Sequence, residues 1–287
     1  MQQLHVGNGT TRGALTLFPV WGDCVGTRGY SLDTASAVLA ELPGQPTVSA
    51  LVATNRGTQP LLMLEGQVLE GGWQNRLLAR SMLVPAGTAL GLDVVCVEAG
   101  RWGGGAEQAF RQRRASVRVR SGLSTGSDRQ GEVWRRVSEY DARFGTNDTS
   151  SFAEHADRAA GDVLLLTRGM RPLAGQLGVV IAIAGQPVLT EVFDHPTTLA
   201  RQFQSIIEAA ALDALGQEEV ATPSRRARRF VDRMRRVERQ ALAPAGLGTT
   251  VSGADSYATV TALAWRRRDL HLVAINPRHA LTLVRSA

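Results

Sequence analysis

Apolar and polar positions change rhythm along this chain. Residues 13–20 (GALTLFPV) form a mostly apolar run that reads as a first strand. Ser31 is placed to cap a short helix over residues 32–42, which Pro43-Gly44 would end. From residue 47 onward the pattern is strand-like. Residues 47–54 make one run, closed by the turn Asn55-Arg56-Gly57, and residues 61–64 begin another. Residues 75–84 alternate, with Arg76 and Arg80 on one side and Leu77, Ala79, Ser81 and Leu83 on the other. Pro85-Ala86-Gly87 turns the chain. Residues 92–98 then place Val94, Cys96 and Glu98 on one face and Asp93, Val95 and Val97 on the other.

The rhythm becomes helical after a Gly/Ser-rich linker at residues 121–127, and the arginine-rich stretch 106–120 before it fits either state. Ser127 with Gln130 matches a capping box. Val133, Val137, Tyr140 and Phe144 then form one stripe, stopped by Gly145. Ser151 with Glu154 makes a second capping box. Residues 179–184 and 188–193, joined at Gly185-Gln186, read as a hairpin. A helix follows over residues 198–215, with Asp194 as its expected cap and Gly216 as its stop. Thr222-Pro223 opens another helix, and residues 257–265 and 270–275 form a last hairpin.

Strands come first and helices with two hairpins follow, so the expected fold class is α+β, not a βαβ alternation. The expected layout is a sandwich-like or barrel-like β-rich lobe over residues 1–120. An α+β lobe over 121–287 would follow, the two forming separate domains or one intertwined domain.

Composition sharpens this outline. The chain has 287 residues, 44% of them hydrophobic and 20% charged, which is ordinary for a globular protein. All 32 of its basic Lys/Arg residues are arginine. The bias reads as that of a GC-rich bacterial genome. It removes Schiff-base chemistry, the P-loop lysine and the kinase lysine. The net charge of +6 is modest. Cys24 and Cys96 build neither a disulfide framework nor a four-cysteine zinc site. The start shows no signal-peptide pattern and no apolar run is long enough to span a bilayer, so the expected location is cytoplasmic, with no membrane partner.

No Gly-x-Ser-x-Gly, His-Glu-x-x-His or Cys-x-x-Cys motif occurs. The five histidines are scattered, and no metal or cofactor is expected. Residues 222–242 carry eight arginines offset by Asp232 and Glu238, with Ala227, Phe230 or Val231, Met234 and Val237 as the apolar stripe. That is a half-buried helix with a basic outer face. It has no interleaved aromatics for base stacking, so nucleic acid is the least favoured partner.

Chemistry concentrates between Glu65 and Trp102. Glu65-Gly66, Leu69, Gly71, Gln74-Asn75-Arg76, residues 83–86 (LVPA) and residues 96–102 (CVEAGRW) bring carboxylates, amides and arginines to strand ends. Arginine forks grip phosphates, and carboxylates accept ribose hydroxyls or act as acid and base. The same residues can equally tie down turns and sheet edges. This pattern resembles the ADP-ribosylglycohydrolase- and rhodanese-phosphatase-associated protein domain family. Flanking segments around residues 15–32 and 178–215 are similar to it as well. Trp73 departs from the pattern, since the family often has a basic residue there.

The resemblance implies a link to ADP-ribose and NAD metabolism, without established catalytic residues. On that basis Arg76 and Arg101 are candidates for holding phosphate, and Gln74 and Asn75 for orienting the ligand. Glu65 and Glu98 are candidate catalytic carboxylates, and Trp102 a stacking platform. The expected partner is a nucleotide-like small molecule. The alternative is a protein partner, with the polar motif serving as architecture.

Overall fold

Nine strands that end in two hairpins form one antiparallel sheet, and six more close into a barrel beside it. This computed structural model describes residues 3–24, 26–42, 49–105, 107–124 and 128–283, and the counts refer to those residues. The first strands are β1 (His5–Val6), β2 (Thr10–Arg12) and β3 (Leu15–Trp21). The barrel region supplies β4 (Ala37–Glu41), β5 (Ala50–Asn55), β6 (Leu61–Met63), β7 (Gln67–Gly71), β8 (Arg76–Leu78), β9 (Met82–Val84), β10 (Ala89–Cys96) and β11 (Glu107–Arg114). Helices α1 (Val117–Ser121), α2 (Arg129–Ser138), α3 (Asp141–Phe144), α4 (Phe152–Arg158) and α5 (Ala160–Thr167) follow. The hairpin β12 (Gly178–Ile183) and β13 (Gln186–Phe193) leads to α6 (Pro196–Ala214) and α7 (Ser224–Met234). The chain closes with β14 (Gln240–Ala241), β15 (Thr249–Ala254), β16 (Thr259–Trp265) and β17 (Arg268–Ile275).

The sheet order is β1-β3-β12-β13-β17-β16-β15-β14, with β2 on β3, so the first strands lie in the same sheet as the last. Alternation along β3 and β12 sends Leu15, Leu17, Val179 and Ile181 into one core and Phe18, Val20, Val180 and Ala182 into another. The first core is shared with α6 and with the outside of the barrel. The second is covered by Ala227, Phe230, Val231 and Met234 of α7, the stripe expected from sequence. The barrel order is β10-β5-β4-β11-β7-β8. Leu39, Leu51, Leu69, Leu78 and Val94 fill it, together with Leu61, Met63, Met82 and Val84 from the separate β6–β9 pair. The alternation read in residues 92–98 is kept: Val94 packs inside the barrel, and Val95 and Val97 pack outside. The α+β class stands, and the β-rich region contains a closed barrel rather than an open sandwich.

Several local expectations give way to tertiary pairing. Residues 32–42 are not a helix. Asp33 caps one 3-10 turn, Thr34–Ser36, and Ala37–Glu41 is a strand bonded to β5 and β11. Two neighbouring strands satisfy its backbone, and Leu39 gains the barrel interior, which outweighs weak helical propensity. The alternating run 75–84 breaks at residues 79–81, where the Ala79 N–H donates to Asp93 O at 2.9 Å. Its halves, β8 and β9, belong to different sheets. Ser127 lies outside the described residues, and Asp128 caps α2 by accepting from Gly131 N at 2.8 Å. Ser151 begins α4 without a side-chain cap: its hydroxyl accepts from Asn75 Nδ2 at 3.4 Å, and its N–H donates to Asn147 Oδ1, leaving Glu154 to pair with Arg158. His195, not Asp194, caps α6, and α7 starts after Pro223 without a cap from Thr222. Strands β1, β2, β14 and β15 are additions to the sequence reading. Among the described residues no helix is long and apolar enough to cross a membrane.

Candidate functional site

The Glu65–Trp102 motif separates into two places. The larger part forms a knot at one end of the barrel. Glu98 accepts from the Asn75 N–H (3.0 Å), Arg101 Nη2 (2.7 Å) and Thr149 Oγ1 (2.9 Å). Burial would raise its carboxyl, but these donors prevail and hold it below its ordinary range. Arg101 also donates to Gly72 O (2.8 Å), Gly71 O (3.2 Å) and Asn75 Oδ1 (3.3 Å). Gly71 and Gly72 carry positive φ, and a Cβ on Gly72 would sit 2.1 Å from Gln108 Nε2. Arg101 thus clamps a loop whose left-handed backbone favours glycine.

Arg76 shares the face of Leu78 and is 1% exposed. Its Nη1 donates to Gln74 Oε1 at 2.9 Å, and Glu41 lies 4.0 Å from Nη2. Gln74 donates to Glu98 O, and Gln108 donates to Gln74 O. Burial pushes the Cys96 thiol up, the state of an inert core cysteine. Trp102 is 60% exposed. The structure therefore brings Gln74, Asn75, Arg76, Glu98 and Arg101 together and engages them with one another.

Glu65 is elsewhere. It accepts from Arg120 Nε (3.3 Å) and Nη2 (3.2 Å), and Arg120 Nη1 donates to Glu191 Oε2 at 3.0 Å. Arg114 also donates to Glu191, and His271 Nε2 lies 2.9 Å from Glu191 Oε1. Ser81 Oγ lies 2.6 Å from His271 Nδ1 and accepts from the Glu65 N–H at 2.9 Å. All six side chains are buried. Burial would raise Glu191, but Arg114, Arg120 and His271 hold it far below the carboxylate range. Burial lowers His271 and brings the Arg114 guanidinium down to about 10.

These directions orient the protons. Ionised Glu191 only accepts, so His271 Nε2 carries the hydrogen. Neutral His271 then accepts at Nδ1, and Ser81 donates to it. A hydroxyl, a base and an orienting carboxylate stand in line, the arrangement that activates a hydroxyl or fixes a tautomer. Desolvating such a set costs several kcal/mol per ion, which makes the cluster a candidate functional site as well as a structural junction.

A cleft of about 350 Å³ opens beside this cluster, between the barrel, the start of α2 and the sheet. Glu65, Arg80, Asp93 and Arg129 form its charged wall, and Val273 and Ile275 an apolar one. Alternation along β17 puts His271 on the same face as Val273 and Ile275. Arg129 grips Asp93 with both Nη atoms (2.6 and 3.3 Å), and Arg80 Nε stands 3.5 Å from the same carboxylate.

Sequence reasoning did not single out Ser81, Arg114, Arg120, Glu191 or His271 as site residues. The available signal was Glu191, a carboxylate inside the apolar run of β13. Among the described residues no group of three or more His, Cys, Asp or Glu side chains could hold a metal ion.

The model of the ARG and Rhodanese-Phosphatase-superfamily-associated Protein domain matches residues 3–275. No curated protein and no solved structure matches the chain.

Proposed function

The chain belongs to the ARG and Rhodanese-Phosphatase-superfamily-associated Protein domain family, and we propose that it binds a nucleotide-class ligand, of the ADP-ribose or NAD kind, in the cleft between barrel and sheet. The observation that carries this reading is the sharing of Asp93 by Arg80 and Arg129. Glu65 on the same wall is already paired with Arg120 behind it, so two guanidiniums on the one carboxylate of Asp93 leave a surplus positive charge there. Arg129 is well placed to use it, with its side chain 34% exposed. A phosphate competes with Asp93 for the same planar forks. Val273 and Ile275 offer apolar contact to the rest of the ligand.

Processing would draw on the buried cluster behind the Glu65 wall, since Ser81, His271 and Glu191 do not themselves line the cleft. His271 is a neutral base that takes a proton through Ser81, and Glu191 stabilises the imidazolium that results. In this reading the knot around Glu98 and Arg101 is architecture that shapes the barrel end, and Glu65 is the motif residue that faces the ligand. Titration calorimetry with ADP-ribose and with NAD tests the proposal. Saturable heat supports it, and the absence of heat at millimolar ligand refutes it.

A protein-interaction role has its own observation. Leu164, Leu165 and Leu173 are 58%, 71% and 56% exposed, an apolar surface on and after α5. Leu165→Asp would abolish capture of a partner under that reading and leave the nucleotide titration unchanged.

A further inference from the structure

A second cleft, of about 480 Å³, lies on the opposite face of β17 from His271, at the turn between β16 and β17. Its polar lining contains equal numbers of opposite charges. Asp23, Asp194 and Asp269 face Arg239, Arg267 and Arg268. Arg239 and Asp269 pair with each other at 3.4 Å. Of the remaining four, Asp194 and Arg268 meet at atoms that are buried, and Asp23 and Arg267 are exposed at the rim.

Asp194 is almost fully buried, and its Oδ1 accepts from Tyr30 at 2.5 Å. Its Oδ2 lies 3.4 Å from Arg268 Nε, yet both atoms are buried and neither makes a hydrogen bond. Such a pair keeps its desolvation penalty without the directional contacts that offset it. Among the described residues, Asp23 and Arg267 make no hydrogen bond or ion pair.

The backbone points the same way. Arg266 and Arg267 form the two-residue turn with φ of 51° and 66°. Turns of this type take Asn-Gly, and arginine there is strained. Arg266 stacks 4.1 Å over Trp265. Arg267 has no such contact, so the strain places an uncommitted guanidinium at the cleft.

We propose that this cleft receives a small zwitterion with an apolar tail, of the class of the apolar α-amino acids. The ammonium sits on Asp194 and Asp23, and the carboxylate on Arg268 and Arg267. The tail lies over Leu4, Val192 and Leu272. A ligand with adjacent opposite charges opens the loose Asp194–Arg268 pair and gives each partner a hydrogen bond. A ligand of one sign leaves the opposite wall unpaired. The balanced charge therefore separates this site from the Arg80–Asp93–Arg129 wall, which carries an excess of one sign.

Titration calorimetry with L-leucine, 3-methylbutylamine and 4-methylpentanoate tests the proposal on the full chain. Leucine binds, and each half-ligand binds at least roughly tenfold more weakly, since each loses one charge-assisted contact. Arg267→Gly removes the backbone strain, so the variant melts higher while leucine binding falls by about tenfold or more. Asp23→Asn, a change at an exposed position, weakens leucine in the same way. No heat with leucine overturns the proposal. So does an amine or a carboxylate alone that binds as tightly as leucine, or leucine binding unchanged in both variants.

Discussion

His271 Nε2 lies 2.9 Å from Glu191 Oε1, and that contact sets the direction of every proton around it. Glu191 also receives Arg114 and Arg120, so one carboxylate anchors two guanidiniums and an imidazole at the junction of barrel and sheet.

Glu191→Gln keeps the shape but removes the charge. Two buried guanidiniums then lack their main counter-ion. The expected loss is about 3–5 kcal/mol, a fall in melting temperature on the order of 10 °C. Thermal unfolding checks this, and an unchanged midpoint contradicts it.

The same cluster predicts how stability depends on pH. Burial depresses His271 below its ordinary value of 6.5, against the pull of Glu191. Its contribution is whole above about pH 6.5, where the unfolded imidazole is neutral too. It drains away as pH falls toward the lower folded value. Glu191, also depressed, is whole above the ordinary carboxylate value of 4.5 and is lost below it. Asp194 and Asp213, raised by burial, act in the opposite sense and recover stability as they protonate. Melting curves should therefore show a first decline starting below about pH 6.5. Burial depresses His155 and His279 in the same way, so His271→Gln should shrink that step without abolishing it and leave the one that begins below about pH 4.5.

In the knot, Arg76→Ala empties a fully buried guanidinium site at the barrel end. Gln74 Oε1 and Glu41 are left without their partner. A loss of about 3 kcal/mol or more is expected. Arg101→Ala should cost less, because Arg101 is 27% exposed and water can replace part of its contacts. Chemical denaturation of the two variants gives the order directly.

Much of the fold can be read from alternation and turn residues. Gly185 in the β12–β13 turn and the inside-outside pattern of residues 92–98 survive in three dimensions, and Val133, Val137, Tyr140 and Phe144 share one core although the expected single helix breaks between α2 and α3 at residues 139–140. Residues 37–41 were misleading because their helical rhythm is overridden by strands on both sides. Of the dense Glu65–Trp102 stretch, Gln74, Asn75, Arg76, Glu98 and Arg101 form one spatial unit, while Glu65 belongs to another cluster. The cluster at Glu191 is not legible in that way. Its members come from β9's approach, β11, α1, β13 and β17, and only folding brings Ser81 next to His271. No local spacing encodes a contact between residues so far apart in the chain.

The most direct test compares ADP-ribose binding by Arg129→Ala and Trp102→Ala in parallel calorimetric titrations. Both residues are partly or largely exposed, so both variants should fold. With the cleft beside Glu65 as the site, Arg129→Ala loses binding by roughly tenfold or more, and Trp102→Ala binds as the parent does. Loss of binding in Trp102→Ala with full binding in Arg129→Ala would contradict the account and place the ligand at the barrel-end motif instead.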